Sequence, residues 1–424
     1  MSETINLPSS RADFRAPHAT QDWLLDIAPA LILIACVSFN AGLAIINNNV
    51  TALSPSIVML AEGMLTAAAL TVVMLRWRPD MTPLVVVMAL IFLFAVVRAL
   101  ATGEIQPKYM RDVLIIPEFI LLGMASPERY LARTILAVHT LVMAILVIEA
   151  LMPNLHSALF NIQSYYINTR GTRADDFYNT NSDLFISATR PGARYFPFVA
   201  EARMSSVFLE PVSLGNYCSI IVAFTASSYR RLGWPATIYL AVTTVILLMG
   251  CDGRLAVLAS LIILLATFIT PYMPPYSAIV YLPLAGLTLV GAAGFLGLHS
   301  GDDDFAGRLA GTAELLNKFD LLDFLGLSNQ YVGATVDSGI AYLIVVQSLP
   351  GLILLWMFIA WHVSEETTEQ VRFTHALCLY LTLSMLVSYS LLTIKTAAIV
   401  WFIQGALQAG IGTRREQTAQ SKGG

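Results

Sequence analysis

Arg203-Met204-Ser205-Ser206-Val207-Phe208-Leu209-Glu210-Pro211-Val212-Ser213-Leu214-Gly215-Asn216 opens a long apolar run, yet it carries an arginine, a carboxylate, a proline and an asparagine within about four helical turns. Ionised groups at the edge of a membrane span are costly and persist where something ionic or polar meets them. Polar sequence precedes the stretch and hydrocarbon side chains follow it. It reads as the mouth of a membrane helix, with its polar groups gathered at one face.

The rest of the chain fits that reading. Of its 424 residues, 57% are hydrophobic and 12% charged, and mean hydropathy is +0.70; a soluble domain carries roughly 25% charged residues. A net charge of −4 gives no basic footprint for nucleic acid. Cys36, Cys218, Cys251 and Cys378 all lie in or beside apolar runs, with neither metal-ligand spacing nor a disulfide framework. The first apolar run lacks a small-residue cleavage site and reads as a retained span.

The expected fold class is an all-α polytopic membrane protein with about twelve transmembrane helices. The spans fall near residues 23–45, 55–75, 81–100, 112–125, 131–152, 205–227, 235–250, 255–270, 277–298, 339–361, 373–391 and 393–411. This divides the chain into a tail at 1–22, one transmembrane domain at 23–412 and a second tail at 413–424. Arg11, Arg15, Arg76, Arg78, Arg129, Arg133, Arg230, Arg231, Arg372, Arg414 and Arg415 fall on one side when twelve spans alternate, which puts that side and both tails in the cytoplasm. Arg98, Lys108 and Arg111 sit on the other side as local exceptions. Two long outer loops, 153–204 and 299–338, escape the orientation rule, so their arginines are free to reflect function.

The first loop is rich in Tyr, Asn and Arg (Tyr165, Tyr166, Arg170, Arg173, Tyr178, Arg190, Arg194, Tyr195) and reads equally as an exposed loop and as a sugar-binding surface. In the second, apolar residues recur at helical spacing from Arg308 to Phe324, which predicts an amphipathic helix. Asp302-Asp303-Asp304 reads as a solvated tip ahead of a cation site.

Glu62, Glu118, Glu149, Glu210, Asp252, Arg254 and Lys395 lie within spans or at their ends. Glu62 and Glu118 read equally as structural ion pairs. Glu149, Arg203, Glu210, Asp252, Arg254, Asp337 and Lys395 all fall near outer ends, and so many ions at one membrane level are hard to assign to packing alone. Arginines clustered there suit a lipid-linked pyrophosphate, because the guanidinium fork matches phosphate oxygens and stays charged when buried. A nearby carboxylate suits a general base for a sugar hydroxyl. The chain has no HExxH, GxSxG, P-loop or Rossmann fingerprint.

At these residues the chain resembles the Wzy-type bacterial polysaccharide polymerases, which share a fold with the O-antigen ligases. Three stretches carry the likeness: Arg203 to Asn216; Gly250-Cys251-Asp252-Gly253-Arg254-Leu255-Ala256, similar to a Ser-Arg turn between spans; and Gly326 to Tyr342 followed by Pro350-Gly351, similar to a loop-to-helix segment. The Phe-Leu-Glu-Pro-Val-Ser-Leu-Gly-Asn wording most resembles xanthan- and acetan-type exopolysaccharide polymerases. The ligase branch is expected to carry a histidine ahead of the span after the second loop; here that region offers Asp337, and His299 lies at the loop's opposite end.

The resemblance implies a GT-C-like glycosyltransferase of the bacterial inner membrane, acting on the periplasmic side without metal or cofactor and with inversion. Its partners would be a polyprenyl-pyrophosphate-linked oligosaccharide donor and acceptor, membrane lipids, and a chain-length regulator with an export complex. The expected roles are pyrophosphate binding by Arg203, Arg254, Arg308 and Lys395, and proton acceptance by Glu210 or Asp337. Glu210 is favoured because Pro211 can distort the first turn and aim it. The alternative role for Asp337 is to cap the helix that follows. Glycan contacts are expected from Arg194, Tyr195, Asn216 and Tyr331. A transporter, a ligase and a membrane scaffold stand as rival classes. No repeat relates the two halves of the chain, which counts against the transporter.

Overall fold

The computed structural model describes residues 19–173, 177, 183–189, 194–296, 305–335, 337–361 and 367–422. Tyr178, Arg190, His299 and Asp302-Asp303-Asp304 lie outside them. Among the described residues all regular structure is helical. The chain is an all-α, multi-pass membrane protein.

Helices α1 (Ala19–Val37) and α2 (Phe39–Asn49) form a pair bent by 59°. They are followed by α3 (Pro55–Leu75), α4 (Thr82–Thr102), α5 (Pro107–Ala125) and α6 (Leu131–Leu151). The first long loop contributes two short helices, α7 (Pro153–Phe160) and α8 (Ile162–Arg170). Then come α9 (Pro211–Cys251), α10 (Arg254–Ile269) and α11 (Tyr281–Leu296). The second loop holds α12 (Phe305–Lys318) and α13 (Leu321–Phe324), and the chain ends with α14 (Gly339–Trp361), α15 (Thr368–Met385) and α16 (Ile394–Lys422).

Each of the twelve expected spans overlaps one of these helices along at least part of its length. By length and composition, however, six helices among the described residues are able to cross a membrane, or seven with the bent pair counted as one. The difference has physical causes. α5 carries Lys108, Arg111, Asp112 and Glu118, too many ions for an apolar span. Two expected spans, 205–227 and 235–250, merge into the 41-residue α9, which as one rod would reach about 60 Å. It is not one rod. Gly233 takes φ 71° and ψ 162° ahead of Pro235, and the two ends of α9 meet: Met204 N donates to Gly250 O at 2.9 Å, and a Cβ on Gly215 would lie 3.8 Å from Cys251 Sγ. The element is a helical hairpin that reverses at Gly233. α14 also breaks, at Ser348 (φ 67°, ψ 161°), two residues before Pro350.

α5 and α16 form the tightest crossing of the bundle. Gly123 and Gly405 meet there, and a Cβ on Gly405 would collide with the Ile120 carbonyl, so two backbones touch where side chains would hold them apart. Large apolar residues such as Leu60, Met74, Leu93, Val245 and Phe268 face outward, as a lipid-facing surface requires.

Arg76, Arg129 and Arg231, three of the arginines assigned above to one side, gather at one end of the bundle. Asp26 of α1 bridges Arg76 and Arg129, and Arg231 pairs at 2.9 Å with both Glu128 and Glu369. The single amphipathic helix expected from Arg308 to Phe324 is two helices instead. The Asp320 carboxylate accepts from Asp323 N at 2.9 Å and starts a new helix after Phe319, whose ring packs between Phe324 and Tyr331.

Candidate functional site

The stretch from Arg203 to Pro211 is held by a buried carboxylate. Glu149, at the end of α6, accepts from Ser205 N at 3.0 Å, Ser206 N at 2.7 Å and Ser205 Oγ at 3.3 Å. Ser206 and Leu209 take left-handed backbone angles, φ 50° and 59°, which cost on the order of 1–3 kcal/mol each in a residue with a side chain. This twisted entry points Glu210 into the bundle ahead of Pro211.

There Glu210 joins a buried cluster. Lys395 Nζ donates to its Oε2 at 2.6 Å and to Phe208 O at 3.2 Å, and Ser213 Oγ donates to the same Oε2 at 2.8 Å. Arg170 Nη2 lies 2.7 Å from Oε1, an ion-pair contact off hydrogen-bond alignment. The Arg170 guanidinium also lies 4.4 Å from the centre of the Tyr166 ring. Burial opposes the charge of Arg170, but Glu210 raises its pKa above the ordinary arginine value. Lys395 is 2% exposed and spends its charge on Glu210. A carboxylate in contact with two cations and a hydroxyl is a weak proton acceptor.

Further out on the same end, Arg111 joins Glu62 of α3 to Asp112 of its own helix. Asp112 Oδ2 accepts from Tyr342 OH at 2.6 Å, and the Tyr342 and Tyr389 rings stack at 4.6 Å. Asn216 donates to Ser390 Oγ at 2.8 Å, bridging α9 to the turn before α16.

A second cluster surrounds Asp252, which ends α9 with φ 46°. Its Oδ2 accepts from Arg194 Nε at 2.9 Å, and its Oδ1 from the amides of Tyr195 at 2.9 Å and Phe196 at 3.3 Å. Arg194 Nη1 donates to the carbonyls of Ala200 at 2.6 Å and Glu201 at 2.9 Å, so Arg194 fastens the first loop to the bundle. Arg203 and Arg254 belong to the same cluster. Burial lowers the pKa of Arg203, Asp252 opposes that shift, and the charges of Arg254 and Arg194 reinforce it. Asp252 thus pairs with Arg194, while Arg203 lies within electrostatic reach of Asp252, Arg194 and Arg254. Arg203 Nε and Arg194 Nη2 are buried donors without a hydrogen-bond acceptor among the described residues. The arrangement has the charge and the free donors to receive an anion with several oxygens.

The other expected residues lie apart. Arg308 Nη1, on α12, sits 3.3 Å from Asp337 Oδ1, whose side chain is 57% exposed. Asp337 does not cap α14: Ser338 Oγ does, accepting from Ala341 N at 3.1 Å. Tyr195 touches the Asp252 cluster through its amide but is exposed, and Tyr331 packs its ring 5.5 Å from that of Phe319. Among the described residues no three His, Cys, Asp or Glu side chains converge as a metal set.

Of the residues expected to act together, Arg194, Arg203, Asp252 and Arg254 are one cluster, Glu210 and Lys395 another, and Arg308 and Asp337 a third. The sequence reading gave no role to Asp112, Tyr342 or Tyr389, and it left Arg170 among several loop arginines. An acidic residue beside Arg111 at the start of an apolar run was the available signal for Asp112. No protein-family model, curated protein or solved structure matches the chain.

Proposed function

We propose that this chain is a polysaccharide polymerase of the Wzy type. It would transfer a growing glycan from polyprenyl pyrophosphate to a new lipid-linked repeat unit at the periplasmic face of a bacterial inner membrane. The observation that carries this reading is the Arg194–Arg203–Arg254 cluster around Asp252, with unpartnered guanidinium donors at the polar end of an apolar helix bundle. A pyrophosphate leaving group is an anion with the oxygens to accept from them.

In the reaction, a hydroxyl of the acceptor sugar attacks the anomeric carbon of the donor. The new glycosidic bond forms, the bond from that carbon to the pyrophosphate oxygen breaks, and the hydroxyl proton passes to a carboxylate. Arg203 and Arg254 hold the departing pyrophosphate and stabilise its growing charge. Between the two candidate bases, exposure and pairing favour Asp337, half-exposed beside Arg308, over the thrice-contacted Glu210. Glu210 then serves as the anchor that sets Arg170 and Lys395.

The test is the product size distribution made by purified protein from a polyprenyl-pyrophosphate-linked repeat unit. Wild type gives a ladder, and Arg254→Ala loses it. Arg254→Lys, which keeps charge but not the fork, loses most of it. Equal ladders from Arg254→Lys and wild type would reduce the arginine clamp to simple charge. No ladder from folded wild type on authentic substrate, followed by product when a second acceptor is added, would replace polymerase with ligase.

A further inference from the structure

A lateral groove runs between α4 and α14. One part encloses about 500 Å3 and is lined by Leu90 and Phe94 of α4 and by Leu354 and Phe358 of α14. An adjoining part of about 340 Å3 continues to the polar end of the bundle, where Arg98, Glu104, Gln106 and Tyr109 line it. Gln347 borders both parts. The groove is thus hydrocarbon along its length and carries a cation and a carboxylate at its mouth.

We propose that this groove seats one zwitterionic diacyl phospholipid with a primary ammonium, a phosphatidylethanolamine, its phosphate at Arg98 and its ammonium at Glu104. The inference goes beyond the polymerase reading and does not depend on it. The first observation is Arg98, which is 3% exposed. A buried guanidinium in an apolar bundle requires an anion or acceptors for its donors. Its Nε donates to Val345 O at 3.2 Å and its Nη2 to Asn329 Oδ1, which leaves guanidinium N–H donors over. It forms no salt bridge among the described residues, and Glu104 acts on it only at longer range. A phosphodiester in the groove supplies the missing anion.

The second is Glu104, which is exposed at the mouth and in no salt bridge among the described residues. A carboxylate this near Arg98 disfavours a head group of net negative charge and suits one whose phosphate is followed by a cation. A quaternary ammonium is recognised by an aromatic cage. Tyr109 is the ring at the mouth, and the Arg98 guanidinium already lies 4.9 Å from its centre. Phe92, which also lines this part, is about 9 Å from Arg98 along α4. A primary ammonium needs no cage and finds hydrogen-bond acceptors in the Glu104 carboxylate and the Gln106 amide. Lys108 adds no charge to the groove, because its ammonium faces the rings of Tyr342 and Tyr389.

The third is Gln347, which is 4% exposed and whose amide Nε2 has no hydrogen-bond acceptor among the described residues. It lies two residues beyond Val345, whose carbonyl holds Arg98, and so stands just below the level of the phosphate. The glycerol ester carbonyls of a diacyl lipid fall at that depth and accept hydrogen bonds, whereas a lipid without ester groups offers none. Length agrees. The α4 residues along the groove run from Leu100 to Val87, about 20 Å along a helix. That spans the hydrocarbon of one leaflet, about 15 Å, with the glycerol and phosphate above it.

The test uses native mass spectrometry of the full-length protein in detergent, titrated separately with phosphatidylethanolamine, phosphatidylglycerol, phosphatidylcholine and undecaprenyl phosphate. Wild type is expected to bind phosphatidylethanolamine about tenfold more tightly than the other three. Glu104→Gln changes an exposed residue without an ion pair, so it should fold as wild type does and erase the preference over phosphatidylglycerol. Leu90→Trp fills the groove from a side chain that already faces lipid and should weaken phosphatidylethanolamine about tenfold, with thermal unfolding as the check on folding. If that variant unfolds, the selectivity of Glu104→Gln decides. Equal binding of the four lipids by wild type, or tightest binding of undecaprenyl phosphate, would overturn the assignment. An unchanged preference in Glu104→Gln would overturn the ammonium site, and unchanged affinity in folded Leu90→Trp would overturn the groove. Polymerisation is read separately: a ladder from protein without the lipid preference refutes the seat and leaves the polymerase, and the preference in protein that builds no ladder does the reverse.

Discussion

Glu210 and Asp337 are both carboxylates near the same end of the membrane, and their surroundings assign them different work. Glu210 is buried and touches Lys395, Arg170 and Ser213. Removing its charge leaves the buried Lys395 ammonium uncompensated, which costs on the order of 3–5 kcal/mol. Glu210→Gln should therefore lower the unfolding temperature in detergent markedly, and the double variant Glu210→Gln with Lys395→Met should recover part of the loss. Asp337 is half-exposed, with Arg308 3.3 Å from its carboxylate. Asp337→Asn should leave thermal unfolding unchanged and slow polymerisation by about 10²- to 10⁴-fold, the usual contribution of a general base. A Glu210→Gln protein that unfolds like wild type but makes no polymer would return the base to Glu210. Both carboxylates stand out in the sequence, since each interrupts or borders an apolar run. It did not show their partners. Arg170 and Lys395 lie far from Glu210 along the chain, and a pairing made by folding leaves no local spacing to read.

At the level of elements, the apolar runs were legible because a lipid environment requires long contiguous hydrocarbon segments and leaves that demand in the sequence. The reversal inside α9 was legible too: Arg230, Arg231, Gly233 and Pro235 interrupt the run where the hairpin turns. Helix packing was less so. Glycines are common in membrane helices, and nothing in the sequence singles out Gly123 and Gly405 as the pair on which α5 and α16 cross. The crossing matters to the site because it fixes α5, which carries Arg111 and Asp112, against α16, which carries Lys395. Gly405→Val would drive a side chain into the Ile120 carbonyl and push the helices apart. The expected cost is about 1–3 kcal/mol, read as a lower unfolding temperature and as reduced polymerisation even though no charged residue has changed. Gly63→Val, on α3 with open space around it, should be neutral in the same assays.

Across the whole molecule, the charges separate into two ends with different chemistry. At one end Arg76, Arg129 and Arg231 are matched by Asp26, Glu128 and Glu369, so the basic residues that orient the chain are also paired there. At the other, the Arg194–Arg203–Arg254 cluster keeps an excess of positive charge and unpartnered donors. On the proposed reading, the short-loop arginines mark the paired end as cytoplasmic and the unpaired end as outside. That orientation can be read directly with a membrane-impermeant maleimide, because Cys36, Cys218, Cys251 and Cys378 are all buried and contribute little background. Tyr195, at the unpaired end, is 56% exposed, and Trp77, at the paired end, is 46% exposed. Tyr195→Cys should label in intact spheroplasts, and Trp77→Cys only after permeabilisation. The opposite pattern would put the arginine cluster in the cytoplasm, where nucleotide sugars are available as donors. The argument for a donor that brings its own pyrophosphate on a lipid would then lose its ground, whatever the geometry around Asp252.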